Sequence, residues 1–123
     1  MVKELFLVGL GGGIGSMLRY LSVFLGNKLF PIAFPAGTFF VNVLGCLILG
    51  LLIGLIEHRQ ILSVSHRFLF ITGFCGGFTT FSAFSAESLR MFENGNAPLG
   101  ITYIGVSILA GLLAVRLGIY LLK

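Results

Sequence analysis

The sequence predicts an all-α integral membrane protein with four transmembrane helices. Of its 123 residues, 57% are hydrophobic and 10% are charged, whereas a soluble domain carries roughly 25% charged residues. The hydrophobic residues form four runs, and a run of about 20 apolar residues is long enough to cross a bilayer as a helix. We therefore expect a single domain, residues 1–123, with approximate spans at 5–25, 36–56, 67–93 and 99–122.

The first span is rich in glycine. Gly11 with Gly15, and Gly12 with Ser16, are pairs of small residues that predict close packing of another helix. Arg19 follows near the end of the span and has two interpretations. It is either an anchor whose side chain reaches the membrane interface, or a cation that faces an aqueous vestibule and raises the local anion concentration.

A loop from Leu25 to Pro35 is expected after the first span. Gly26-Asn27-Lys28 opens it, and Pro31 and Pro35 prevent a helix from continuing. The second span carries no charge, and Asn42 is its one strongly polar side chain. The Asn42 amide either bonds to a neighbouring helix or donates to an anion in a pore, and the residues leave both interpretations open.

The third span contains the stretch around which the other spans are arranged. Gly76-Gly77 gives the backbone a freedom that helix interiors avoid, and Thr79 and Thr80 follow directly. We therefore expect a break near residues 76–80. An opened backbone at membrane depth is tolerated where it lines a cavity or holds an ion. The break therefore predicts that the chain binds or moves a small ion.

Phenyl rings and hydroxyl groups follow the predicted break. Phe81 and Phe84 share one helix face, beside Thr80 and Ser82. The edge of a phenyl ring is positive and attracts an anion without trapping it as a full charge would. Hydroxyl and amide donors can replace part of the anion's hydration, whereas opened carbonyls at residues 76–79 suit a hard cation.

The fourth span begins after a turn at residues 94–98. Tyr103 and Ser107, four residues apart, give its first half a polar face. Arg116 interrupts its second half. An even number of spans places both chain termini on the same side of the membrane.

The basic residues give a weak orientation signal. Four of them are expected on the side of the termini and two on the opposite side. So weak a bias in a small protein suggests insertion in both orientations and pairing as an antiparallel dimer. The two sets are Lys3, Arg59, Arg67 and Lys123 against Lys28 and Arg90.

No catalytic constellation is present, so we do not expect an enzyme. The acidic residues do not pair inside a span, and the sequence lacks a phosphate-binding loop. The basic residues are scattered singly rather than clustered with aromatic residues, which excludes nucleic-acid binding. The acidic residues are Glu4, Glu57, Glu87 and Glu93.

Three motifs establish a resemblance that covers essentially the whole chain. They are Gly11-Gly12-Gly13-x-Gly15-x-x-x-Arg19-Tyr20, Gly37-Thr38-x-x-x-Asn42-x-x-Gly45, and the stretch from Gly73 to Phe84 with Glu87 following. Together they resemble the Fluc (CrcB-type) fluoride channels. The resemblance implies a dual-topology, antiparallel homodimer in the bacterial inner (plasma) membrane, which exports fluoride passively through two pores along the dimer interface.

The resemblance also implies roles for individual residues. Phe81 and Phe84 match rings whose edges contact fluoride, and Asn42 matches the asparagine of the pore. The backbone carbonyls of Gly76 and Thr79 match the ligands of a structural Na⁺ at the dimer interface, and no organic cofactor is implied. The remaining fluoride-pore residues that the resemblance implies are Arg19 at the vestibule, Thr80, Ser82, Ser107 and Tyr103.

Two other functions compete with a channel. A small four-span multidrug or cation exporter needs a carboxylate inside the membrane to exchange protons for its substrate. The first span has none in its interior, and Glu87 lies beyond the predicted break, near a span end. A non-transporting assembly subunit would use the glycines for packing alone, and it would not need Phe81 and Phe84.

Overall fold

The computed structural model describes residues 1–123 and is entirely helical apart from short connections. Four stretches are long and apolar enough to cross a membrane, which confirms the prediction of an all-α, multi-pass membrane protein. The helices are α1 (Val2–Leu29), α2 (Ala36–Gly54, continued by a π-helical turn, Leu55–Arg59), α3 (residues 64–78), α4 (Phe81–Glu93) and α5 (Ala97–Leu121).

The first connection is shorter than expected. Gly26-Asn27-Lys28 was predicted to open a loop, but α1 continues to Leu29, so this part of the prediction is wrong. The reason is packing, because a Cβ atom at Gly26 would lie 2.8 Å from the Cα atom of Gly37 on α2. Gly26 therefore lets two helices meet and does not end one. Pro35 directly precedes α2, as a residue that cannot continue a helix should.

The glycine-rich face of α1 packs against α3. A Cβ atom at Gly11 would overlap the carbonyl oxygen of Leu69, and one at Gly15 would overlap that of Phe74. The two backbones are therefore in direct contact, which confirms the predicted role of this small-residue pair. Most of α3 is a π-helical stretch, Arg67–Cys75, between two short α-helical turns.

The two segments of the third span have different neighbours. Helix α3 lies along α1, whereas α4 packs against α5. Helix α2 packs along α5 and also touches α1, so it links the two pairs. The connection between α3 and α4 therefore lies where the chain passes from one helix pair to the other.

The largest fully buried side chains are Thr38, Val41 and Tyr103. Thr38 and Val41 lie on α2 and Tyr103 on α5, so the most enclosed part of the protein is between these two helices. Large apolar side chains on the outer faces of α1 and α5 are exposed. A surface of this kind suits contact with lipid rather than water.

Candidate functional site

The backbone is extended at two residues between α3 and α4. Thr79 has φ −87° and ψ 159°, and Thr80 has φ −147° and ψ 117°. Gly76, in contrast, is helical, with φ −62° and ψ −38°. Gly77 allows α3 to contact α1 closely, because a Cβ atom at Gly77 would overlap the backbone of Gly12. Gly77 thus lets α3 lie against α1, whereas nothing lies within 4 Å of a Cβ atom at Gly76. The β-branched threonines adopt the extended conformation that such residues favour.

Asn42 satisfies both backbone polar groups of Thr80. Its Nδ2 donates to the Thr80 carbonyl oxygen at 3.1 Å, and the Thr80 N–H donates to its Oδ1 at 2.7 Å. The structure thus gives Asn42 the bonding role that the sequence allowed. An amide carries two N–H groups, so one remains for a further acceptor.

Arg19 also bonds to the end of α3. Its Nε donates to the carbonyl oxygen of Gly77 at 2.8 Å, across 58 positions of sequence. The side chain is half-buried and extends from α1 to the interruption of the third span, which is the extended pair Thr79 and Thr80 between α3 and α4. Arg19 is therefore directed toward the site.

Three hydroxyl groups make short-range contacts at the interruption. Thr79 Oγ1 donates to the Cys75 carbonyl oxygen at 2.8 Å. Thr80 Oγ1 accepts the Ala83 N–H at 3.2 Å and lies 3.3 Å from Ser82 Oγ. Thr80 is consequently the N-cap of α4, a position that favours threonine.

Phe81 and Phe84 lie side by side on α4. Their ring centroids are 5.8 Å apart, with an angle of 52° between the planes. Phe81 is 70% exposed, although it is a large hydrophobic residue. Phe84 is half-buried, and its ring centroid lies 5.2 Å from that of Tyr103.

A surface cavity of about 410 Å³ collects most of the predicted site residues. No ionisable carboxylate, amine, guanidinium or imidazole lines it. Arg19, Ser82 and Tyr103 lie outside its lining. The lining residues are Asn42, Gly45, Cys46, Leu49, Ile71, Cys75, Gly76, Thr79, Thr80, Phe81, Phe84, Ser107 and Ile108.

Comparison with known proteins gives the family. The model of the CrcB-like protein, Camphor Resistance (CrcB) family matches residues 6–119. The chain belongs to the CrcB family. Relatives named "Fluoride-specific ion channel FluC" cover nearly its whole length. That of Azobacteroides pseudotrichonymphae genomovar. CFP2 is 48% identical over 96% of this chain and 94% of its own.

Two further relatives carry the same name. The Flavobacterium psychrophilum protein is 41% identical over 99% of this chain and 98% of its own. The Rhizobium etli (strain CIAT 652) protein is 46% identical over 98% of this chain and 96% of its own. The resemblance predicted from three motifs is thereby confirmed. So is the prediction that this is not an enzyme, because the CrcB family is a family of ion channels.

A polar cluster beside the cavity includes Thr38, a motif residue to which the sequence analysis assigned no role. Thr38 Oγ1 donates to Glu87 Oε2 at 3.1 Å, and Thr38 is fully buried. The Tyr103 hydroxyl, Glu87 Oε1 and Ser107 Oγ are buried and have no protein hydrogen-bond partner. The sequence does hold a signal for Thr38: it precedes Asn42 by four residues, so the two side chains share one face of α2.

The carbonyl groups of Gly76 and Thr79 fit a hard cation. The N–H that would bond to the Gly76 oxygen in a helix, that of Thr80, bonds to Asn42 instead. The N–H that would bond to the Thr79 oxygen, that of Ala83, bonds to Thr80 Oγ1. No other backbone N–H donates to either oxygen. Carbonyl oxygens without a hydrogen bond are suitable ligands for an alkali cation.

Proposed function

We propose that this member of the CrcB family is a fluoride-selective ion channel that lets F⁻ leave the cell passively. The name shared by its relatives supports this function over nearly the whole chain. The observation that carries the proposal is the cavity at the interruption, where phenyl rings, an amide and hydroxyl groups meet without an ionised side chain.

The lining of the cavity accounts for passage of a small, strongly hydrated anion. The edges of Phe81 and Phe84 supply weak positive potential, and the free N–H of Asn42 and the hydroxyl of Ser107 supply donors. These groups replace part of the hydration of fluoride. Because none of them carries a full charge, the anion is bound weakly enough to leave.

Residues around the cavity extend the proposed path. Arg19 lies at the same interruption, and its terminal guanidinium N–H groups remain free to draw anions into a vestibule. Thr80 and Ser82 supply hydroxyls at the start of α4, and the unpartnered Tyr103 hydroxyl supplies a donor next to Phe84. The path therefore runs from Arg19 past the two rings toward α5.

The channel is proposed to be an antiparallel homodimer with two pores along its interface. Two observations support a second copy over this face: Phe81 is 70% exposed, and the cavity lies at the surface of one chain. The weak charge bias of the loops supports insertion in both orientations. The proposed location is the inner membrane of a bacterium.

A structural Na⁺ is proposed at the two-fold axis of this dimer. The backbone carbonyls of Gly76 and Thr79 from both subunits would hold it. The support is the lack of any hydrogen bond to these oxygens, which costs free energy in a dry interface. Bound there, the ion supplies positive charge that offsets this cost and joins the subunits.

A cation exporter is less well supported by the same site. Such a protein needs a carboxylate in its substrate cavity, and none lines this one. Glu87 is the nearest candidate, but one of its oxygens accepts a bond from Thr38. The cavity of this chain therefore favours an anion.

Fluoride efflux from liposomes tests the proposal directly. Purified protein is reconstituted into vesicles loaded with potassium fluoride, and valinomycin is added so that K⁺ balances the charge. We expect rapid fluoride release, measured with a fluoride electrode, without a proton or sodium gradient. Protein-free vesicles are the control. Release that needs a proton gradient would favour an exporter, and no release from folded protein would contradict both transport functions.

A further inference from the structure

We infer that Arg19 is a positioning residue, which holds the end of α3 through its Nε donor. Its Nε donates to the Gly77 carbonyl oxygen at 2.8 Å, and the contact is partly buried. This role differs from the attraction of anions into a vestibule, which depends on charge and not on one bond.

The position of Arg19 on α1 explains why it meets α3 at that point. Gly11, Gly15 and Arg19 are successive members of one row with a spacing of four, so they lie on the same helix face. The two glycines bring the backbones of α1 and α3 together at Leu69 and Phe74. One turn further along α1, the next residue of this row is Arg19, and its long side chain reaches the end of α3 at Gly77.

The bond from Arg19 gives one carbonyl group at the end of α3, that of Gly77, a hydrogen-bond partner. A helix leaves its last carbonyl groups without intrahelical partners. The Cys75 oxygen accepts both the N–H and the hydroxyl of Thr79, and the Gly77 oxygen accepts Arg19. The oxygens of Gly76 and Thr79, on either side of Gly77 in sequence, remain free. Arg19 therefore fixes the backbone between the two carbonyls proposed to bind the cation.

Two substitutions separate the donor from the charge. In glutamine the amide nitrogen occupies the same position along the side chain as Nε of arginine, so Arg19→Gln keeps a donor and removes the charge. In lysine a methylene group occupies that position and the amine lies one atom further, so Arg19→Lys keeps the charge but has no donor at the Nε position. Arg19→Met removes both.

Hydrogen–deuterium exchange tests the inference on the purified full chain in lipid nanodiscs. We expect amides in peptides covering residues 73–84 to exchange within about twofold of the wild-type rate in Arg19→Gln. In Arg19→Lys and Arg19→Met we expect about tenfold faster exchange, because both variants lose the donor at the Nε position that bonds to the Gly77 carbonyl oxygen. Exchange in α5 serves as an internal reference for a folded protein. Arg116→Gln and Arg116→Lys are matched controls, since Arg116 is exposed and makes no hydrogen bond or ion pair in the structure.

Three results would overturn the inference. They are fast exchange in the Gln variant with normal exchange in the Lys variant, normal exchange in both, and equally fast exchange in both. The consequence for conduction rests on the proposed function: the Lys variant should lose more fluoride efflux than the Gln variant. Wild-type protein without fluoride efflux would contradict the proposed function, while the exchange rates would still decide the role of Arg19.

Discussion

Asn42 bonds to both backbone polar groups of Thr80, although the two residues are 38 positions apart in the sequence. The pair of bonds resembles one rung of a β-ladder, with a side-chain amide in place of the second strand. It supplies the partners that an extended residue loses when it leaves a helix. The interruption between α3 and α4 is therefore stabilised from α2.

Replacing Asn42 by aspartate should destabilise the protein and reduce fluoride efflux. The carboxylate keeps the shape of the amide but places an oxygen where Nδ2 donates to Thr80, so the bond is lost and two oxygens face each other. We expect a loss of about 1–3 kcal/mol in unfolding free energy, measured by thermal unfolding in detergent. Asn27→Asp is the control, because Asn27 is exposed at the end of α1. Equal unfolding temperatures for the two variants would show that the two bonds between Asn42 and Thr80 do not stabilise the protein.

The double substitution of Phe81 and Phe84 by isoleucine should abolish fluoride efflux while the protein stays folded as the proposed dimer. Isoleucine keeps apolar bulk but has no ring edge to meet an anion. The matched control replaces Phe6 and Phe24, which are 69% and 53% exposed on α1. Size-exclusion chromatography verifies folding of both proteins before efflux is compared. Normal efflux from a well-folded Phe81/Phe84 variant would instead favour a subunit without a transport function.

The membrane-spanning helices could be predicted because each must satisfy its own backbone in lipid. A long apolar run therefore allows few structures, and α2, with no charge before Glu57, shows this most clearly. That Gly11 and Gly15 contact another helix was predictable from their small size and spacing of four, whereas the structure identifies that helix as α3.

The bonds that hold the interruption could not be predicted from local sequence. Asn42 and Arg19 reach Thr80 and Gly77 across 38 and 58 positions, and nothing near either residue indicates its partner. Gly26 misled the prediction for a related reason, because a glycine that ends a helix and a glycine that contacts another helix look alike in sequence. The contact with Gly37 on α2 decides between them.

Removal of sodium should destabilise the proposed dimer. A cation that binds the folded assembly but not the unfolded chain increases the free energy of unfolding. Above its Kd, this increase is about 1.4 kcal/mol for each tenfold rise in cation concentration. We expect the unfolding temperature to rise with sodium when choline keeps the ionic strength constant. The backbone oxygens of Gly76 and Thr79 cannot be removed by substitution, so the ion itself is varied. An unfolding temperature that stays constant after prolonged sodium depletion would exclude a stabilising sodium site.

Gly45→Ala should disturb the interruption from the side of α2. A Cβ atom at Gly45 would overlap Cγ2 of Thr79, so the Thr79 side chain must either rotate away from its hydrogen bond to the Cys75 oxygen or move together with its backbone. We expect a destabilisation of about 1–3 kcal/mol and reduced fluoride efflux. Gly105→Ala is the control, because nothing lies within 4 Å of a Cβ atom there. Alanine favours a helix, so the control should be as stable as the wild type or more stable.

Cysteine labelling should show that the chain inserts in both orientations. Cys46 and Cys75 are first replaced by alanine, and single cysteines are then introduced at Asn94 and at Lys123, which are exposed at opposite ends of the fourth span. A membrane-impermeant maleimide applied to intact cells should label about half of each variant, because each site faces outward in half of the copies if the charge bias is weak. Lysis before labelling provides the full signal for comparison. If one site is labelled completely in intact cells and the other not at all, every copy has the same orientation, and an antiparallel dimer cannot form.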